Sequence, residues 1–428
     1  MRTPPPRGGR AASLAALAIL VGLLVGLLGG CSSGAGASLL GDQQTVSLTE
    51  AQQVLDARAA AIADGDLPAF LGTLDSTNQA LVSRQRRYFA NLRQLPLERL
   101  DYTVLKSDWP AGLRAAGWAR DVAVPQVRVE TQLRGFDSVP VQRVTGFAFG
   151  HRDGRTVIVS DLTGAGKQFP GSNPAPWDLV RVHVRSDGET LQLYDDLTWP
   201  RAGEVSAAVR DGDSYIRGAI PFAWDGHAVV YVFGRPAVLN SFDAVPGGNI
   251  EHLGAMTFPM YAVLGQPTVA GTRFTLLPSS LRAGPAFLGR IVRHELTHVA
   301  LADRDDGVPM WFAEGIAEYM GAREIPRDQR RIATVAVARA RAGVQALPSS
   351  RGFNGDDQAW HYALSWMACD YIAATQGENK LWQLMEALHA GGEGTNDESQ
   401  DAVLQSVIGL DGAQLARRAA NRILAIYG

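Results

Sequence analysis

The chain has 428 residues, more than one ordinary core holds, so it reads as two domains. Hydrophobic residues make up 46% and charged residues 19%, a globular composition that excludes a disordered chain. The formal net charge is -3 and no basic stripe dominates, which leaves no nucleic-acid partner to expect.

The first residues read as an address. Arg2, Arg7 and Arg10 precede an apolar stretch from Ala11 to Leu28, which ends in Leu28-Gly29-Gly30-Cys31 and small polar residues. This is the layout of a secretory signal, with an uncleaved anchor as the alternative. The terminal Leu-Gly-Gly-Cys resembles a bacterial lipobox. That resemblance implies cleavage before Cys31, lipid on its sulfur and new amine, and an extracytoplasmic protein anchored to the cell membrane. Residues 1–30 are then the signal peptide and 31–44 a tether. Cys369, the other cysteine, lies in an apolar helical stretch and is expected as a buried, unreactive thiol.

Ser47-Leu48-Thr49-Glu50 predicts a capping box that opens a helix carrying Leu55, Ala59 and Ile62. Gly65-Asp66 stops it, Pro68 starts a short second helix, and a third runs from Asn78 to Leu95. The pattern then changes to period two. Leu100, Tyr102 and Val104 alternate with polar residues, as do Val127, Val129, Thr131 and Leu133. Val141 to Phe149, a turn at Asp153-Gly154 and Thr156 to Ser160 predict a hairpin. Val180, Val182 and Val184 predict a strand that turns at Asp187-Gly188 into Leu191 to Tyr194. Helices followed by half-buried strands make an α+β domain with a curved antiparallel sheet over residues 45–196. Its order of elements resembles the nuclear-transport-factor-2-like cone fold, an architectural likeness that assigns no function.

From Trp199-Pro200 onward a second α+β domain is expected over residues 197–428. It starts with a helix over Gly203 to Ala219 and short strands at Ala228 to Phe233, near Ala255 to Phe258, and at Thr272 to Leu277. From Pro285 nearly everything reads as helix.

That helical part carries the chemistry. Arg290 to Ala300 contains His294-Glu295-Leu296-Thr297-His298. Four residues apart on a helix, His294 and His298 share one face and can meet at one metal ion. Glu295 is rotated about 100° from His294 and about 60° from His298, on the rim of that face, where it can reach a water without ligating the metal. Catalytic zinc needs a third protein ligand and an open position. After a turn at Asp305-Asp306-Gly307, with Pro309 at a first helical position, the next helix offers Glu314 for that ligand. One turn later Glu318 can hydrogen-bond the outer nitrogen of a ligand histidine.

His294 to His298 with Trp311-Phe312-Ala313-Glu314-Gly315-Ile316-Ala317-Glu318-Tyr319 resembles the gluzincin metallopeptidases, the broad group of thermolysin and aminopeptidase N. The resemblance implies one zinc ion on His294, His298 and Glu314, Glu295 as general base, and Glu318 behind a ligand. It also implies an aromatic or histidine donor to the oxyanion on a later helix, for which Tyr362 is the choice and His361 the runner-up. Gly254-Ala255-Met256-Thr257-Phe258 resembles the aminopeptidase signature only in part, because it lacks the glutamate that binds a free amine. Peptide or protein substrates cut internally, including cell-wall-associated ones, are therefore expected. The alternative is a surface-anchored binding lipoprotein with a structural or inactive metal site. The remaining histidines and the Arg327 to Arg341 stretch read as solvated or hydrogen-bonded surface.

Overall fold

A computed structural model describes residues 45–106, 122–161, 174–235, 238, 254–302, 304–305, 307–391 and 399–428. The expected signal peptide and tether, with Cys31, lie outside these residues. Among the described residues no helix is long and apolar enough to cross a membrane.

The chain is α+β. Three helices come first: α1 (Leu48–Asp64), α2 (Leu67–Gly72) and α3 (Gln79–Leu92). The predicted capping box is present: the Ser47 hydroxyl accepts from the Glu50 amide, and the Glu50 carboxylate accepts from the Ser47 amide. Three strands, β1 (Leu97–Val104), β2 (Gln126–Leu133) and β3 (Val141–Gly146), form an antiparallel sheet in that order. Alternation of Val127, Val129, Thr131 and Leu133 turns one face inward. The predicted strand Val141 to Phe149 is broken after Gly146. Its second half, β4 (Ala148–Arg152), leaves β2 and pairs with β5 (Arg155–Ser160) across a turn whose Asp153 and Gly154 have φ of 47° and 74°.

A helical turn, α4 (Pro176–Leu179), opens on a proline, which a first helical turn accepts, and precedes the next predicted strand, which begins at His183 rather than Val180. Strands β6 (His183–Ser186) and β7 (Thr190–Tyr194) follow, then α5 (Ala202–Ala219), β8 (Ala228–Val232), β9 (Ala255–Tyr261) and β10 (Val269–Leu276). These strands make one sheet in the order β6-β7-β8-β10-β9, with β7, β8 and β10 parallel and β9 antiparallel on an edge. β6 and β7, assigned by their alternation to the N-terminal domain, thus belong to the sheet that leads to the metal motif. The expected limit at 196/197 falls between β7 and α5, and residues 44–428 cluster as one compact unit. β7 is buried along its whole length, polar Thr190 and Gln192 included, as in a sheet covered on both faces.

The rest is helical: α6 (Pro278–Arg282), α7 (Pro285–Leu301), α8 (Met310–Arg323), α9 (Thr334–Ala342), α10 (Gln358–Gln376), α11 (Asn379–Ala390), α12 (Gln400–Ile408) and α13 (Gly412–Tyr427). One large core joins α5, α7, α8 and α10 to one face of the five-stranded sheet. α8 is apolar nearly all round, which suits a helix packed on several sides.

Two glycines let it sit so deep. A Cβ on Gly315 would lie 2.6 Å from the Ser365 carbonyl oxygen and 2.9 Å from Cys369 Sγ, both on α10. A Cβ on Gly321 would lie 2.9 Å from the Arg290 carbonyl oxygen on α7. α8 is therefore pressed between α7 and α10, and Cys369 is a buried thiol at that seam.

Candidate metal centre

His294 and His298 stand one turn apart on α7, and Glu314 comes from the first half of α8. Pro309 is the N-cap of α8 rather than its first helical residue, so the helix begins at Met310. Asp306 of the predicted turn lies outside the described residues, and Gly307 has φ of 74°. The short connection lays α8 beside α7 and aims Glu314 at the histidines.

The donor atoms form a nearly equilateral triangle. His294 Nε2 is 3.3 Å from His298 Nε2 and 3.3 Å from Glu314 Oε2, and His298 Nε2 is 3.5 Å from the same oxygen. Tetrahedral bonds of about 2.0–2.1 Å at about 109° would set the donors about 3.3–3.4 Å apart, which is this triangle. Among the described residues these three form the group of metal-ligand type. Glu314 Oε2 is buried without a hydrogen bond of normal geometry. A buried carboxylate oxygen facing two imidazole nitrogens that also face each other leaves a place for a cation, so the residues present fit zinc.

A carboxylate stands behind each histidine. Glu318 Oε1 lies 3.5 Å from His294 Nδ1, within ion-pair range but too long and misaligned to satisfy that nitrogen. The Arg290 guanidinium pairs with the other oxygen of Glu318. Asp305 Oδ2 lies 3.4 Å from His298 Nδ1. Asp305 was read from sequence only as part of a turn, and the short loop that returns the chain to α8 carries it back to His298. Arg290 carried a signal that went unused, since it sits one turn before His294 on the same helix face.

No family model matches the chain, and no curated protein does either. One solved structure found by comparison is a two-domain M1 zinc metallopeptidase mutant bound to L-arginine. It is 14% identical, the match covers 71% of this chain and 61% of that one, and the TM-score is 0.29.

Glu295 is buried beside the triangle. Thr257 Oγ1, from edge strand β9, donates to its Oε2 at 2.6 Å. Burial pushes the Glu295 carboxyl above the usual range, although His294 and His298 pull it down. Thr257 was noted in sequence only within an incomplete signature, and no local pattern links it to a residue on α7.

Burial alone would lower both imidazoles, but Glu314, Glu318 and Glu295 raise His294, and Glu314 and Asp305 raise His298 further. Burial works against the Glu314 carboxylate, yet His298 and His294 hold it well below the usual carboxylate range. The site is thus a negative enclosure, suited to a cation.

The Tyr362 ring, on α10, stacks near His294 with centroids 6.4 Å apart. Burial pushes its phenol well above the ordinary value, with Glu314 and Glu295 adding to the effect, so the group is a proton-bearing donor. His361 faces elsewhere: its Nδ1 lies 2.7 Å from the Phe353 carbonyl oxygen. The structure therefore brings Tyr362 to the triangle, and His361 to a loop backbone.

Proposed function

We propose that this chain is a zinc-dependent endopeptidase that acts outside the cytoplasm, held to the cell membrane by lipid on Cys31. The observation that carries the reading is the triangle of His294, His298 and Glu314 with a buried carboxylate, Glu295, at its edge. One zinc ion would be held by those three residues, and it supplies Lewis acidity, which acidifies a water and polarises a carbonyl.

The protein's own groups do the rest. Glu295 is the proton carrier. Thr257 fixes its Oε2, which leaves Oε1 to take a proton from water and pass it to the departing amine. A carboxyl raised by burial is a better base than a solvated one, which suits this task near neutral pH. Tyr362 keeps its proton and donates a hydrogen bond to the oxygen that gains charge as the scissile carbonyl is attacked. Asp305 holds the His298 imidazole through Nδ1, and the Glu318 carboxylate, paired with Arg290, stands 3.5 Å behind His294 Nδ1, so that both Nε2 atoms face the common point.

The lack of a glutamate in Gly254 to Phe258 supports internal cleavage over removal of N-terminal residues, with peptide or protein substrates that include cell-wall peptides. Residues 45–161, without β6 and β7, which join the second sheet, are read as a nuclear-transport-factor-2-like module, supported by helices packed against an antiparallel sheet.

The test uses the purified full chain, zinc-loaded, with an unfolded protein as substrate. Wild type cleaves it, while Glu295→Gln binds one zinc ion and does not. Zinc bound without cleavage of diverse peptides by wild type would leave the binding lipoprotein as the function.

A further inference from the structure

A second polar site lies far from α7 in the chain, among α1, α3 and the first sheet. Arg58 on α1 is 1% exposed, and its guanidinium sits over the Phe70 ring at 4.1 Å and near Tyr88 at 5.1 Å and Phe147 at 5.6 Å. Its Nη2 donates to Gln85, but Nε and Nη1 are buried with no acceptor. Aromatic faces offset part of the cost of burying that charge, and leave its hydrogens unmet. Gln85 itself donates to Asp161 at 2.8 Å, and Asp161 is already held by Arg84 at 2.9 Å. Nearby Arg143 is paired with Asp178 at 2.5 Å and still has a buried Nε without an acceptor. Three guanidiniums thus share two carboxylates, and one positive charge is left over.

That charge borders open space. Arg58, Gln85, Tyr88, Tyr102 and Arg143 line a cavity of about 30 Å³ together with the paired carboxylates Asp161 and Asp178. The hydroxyls of Tyr88 and Tyr102 are 2.7 Å apart, so one hydrogen of the pair joins them and the other remains to be given. Burial pushes the Tyr88 phenol well up, which keeps it a donor. Both carboxylates of the lining are engaged by arginine, so the unmet buried groups of Arg58 and Arg143 are donors. One water needs about 10–15 Å³, so the cavity has room for about two waters or for the two oxygens of one carboxylate. Arg143 also lines a second, mostly apolar cavity of about 90 Å³ walled by Leu133, Trp177, Phe258, Met260 and Leu264.

We propose that the two cavities bind a monocarboxylate with a short apolar tail, its carboxylate on Arg58 and its tail past Arg143. A carboxylate offers the missing charge and the missing acceptors together, and charge-assisted hydrogen bonds to arginine are the strong kind. The site is built independently of the metal centre and does not rest on the peptidase reading.

The test is calorimetric titration of the full chain in a non-ionic detergent, treated with chelator so that the acids do not bind zinc. Acetate, butyrate and hexanoate are compared with hexanamide and chloride. Affinity is expected to rise from acetate to hexanoate by up to about fourfold per methylene, until the cavity is full. Hexanamide binds far more weakly. Arg58→Met loses hexanoate binding at least tenfold, and Arg58→Lys falls between it and wild type. Should Arg58→Met fail to fold, Arg58→Lys alone gives the comparison, with weaker binding expected. The proposal is overturned by no saturable binding to wild type, by hexanamide or chloride binding as tightly as hexanoate, or by unchanged affinity in the folded Arg58 variants.

Discussion

Gly315→Ala tests whether the seam between α8 and α10 sets the metal triangle. The new Cβ would sit 2.6 Å from the Ser365 carbonyl oxygen, where ordinary contact begins at 3.4 Å, so the helices must part by roughly 0.8 Å. The obstacle is backbone, which cannot rotate away as a side chain does. Overpacking of this kind costs about 1–3 kcal/mol. Alanine returns up to about 1 kcal/mol of helix propensity. With that return in full the net loss is about 0–2 kcal/mol, a fall in Tm of at most several degrees at about 2–4 °C per kcal/mol. The effect on the metal is larger in proportion. Glu314 is the adjacent residue, and a shift of its carboxylate by even half that distance exceeds the tolerance of about 0.2 Å for a coordination bond. Zinc affinity should fall about tenfold or more, since each 1.4 kcal/mol is tenfold. Competition against a fluorescent zinc chelator, beside a thermal melt of the apo-protein, reads both. A Gly315→Ala protein with wild-type zinc affinity would refute the claim that close approach at Gly315 positions Glu314.

Other outcomes follow from the same contacts. Thr257→Val removes the donor that fixes Glu295 Oε2, so kcat should fall about tenfold to a hundredfold with zinc affinity unchanged. Equal kcat would mean that Glu295 is positioned by packing alone. Asp305→Ala should weaken zinc binding about 10–100-fold by freeing the His298 ring, measured by chelator competition. The apo-protein should lose stability as pH rises above about 6.5, the ordinary imidazole value. His294 and His298 have raised folded pKa values, so their stabilisation is full below the unfolded value and is lost as pH rises through the folded ones; ionisation of buried Glu295 acts in the same direction. With zinc bound the trend reverses, because the metal takes unprotonated imidazole. Melts of both forms across that range check it, and parallel curves would contradict it.

Much of the site was legible because helical periodicity is local. The spacing of His294 and His298 fixes a shared face before any tertiary contact exists, and the Ser47 to Glu50 cap is equally local. Thr257 was not legible as a partner of Glu295, because it arrives on an edge strand 38 residues away in the chain. Asp305 was half legible, as a turn residue whose side chain direction depends on how that turn closes.

The sequence by itself determined the class of elements, the pair of imidazoles on one helix face and the carboxylates on the next helix. Only the tertiary structure decided that β6 and β7 join the sheet of the second half, that Tyr362 rather than His361 lies beside His294, and that Arg58 is buried with donors unmet. The reason is physical. Periodicity fixes the direction of a side chain relative to its own helix or strand. Burial and partners depend on which elements pack together, and here that is set by β7 burying both faces and by glycines that let α8 press against its neighbours.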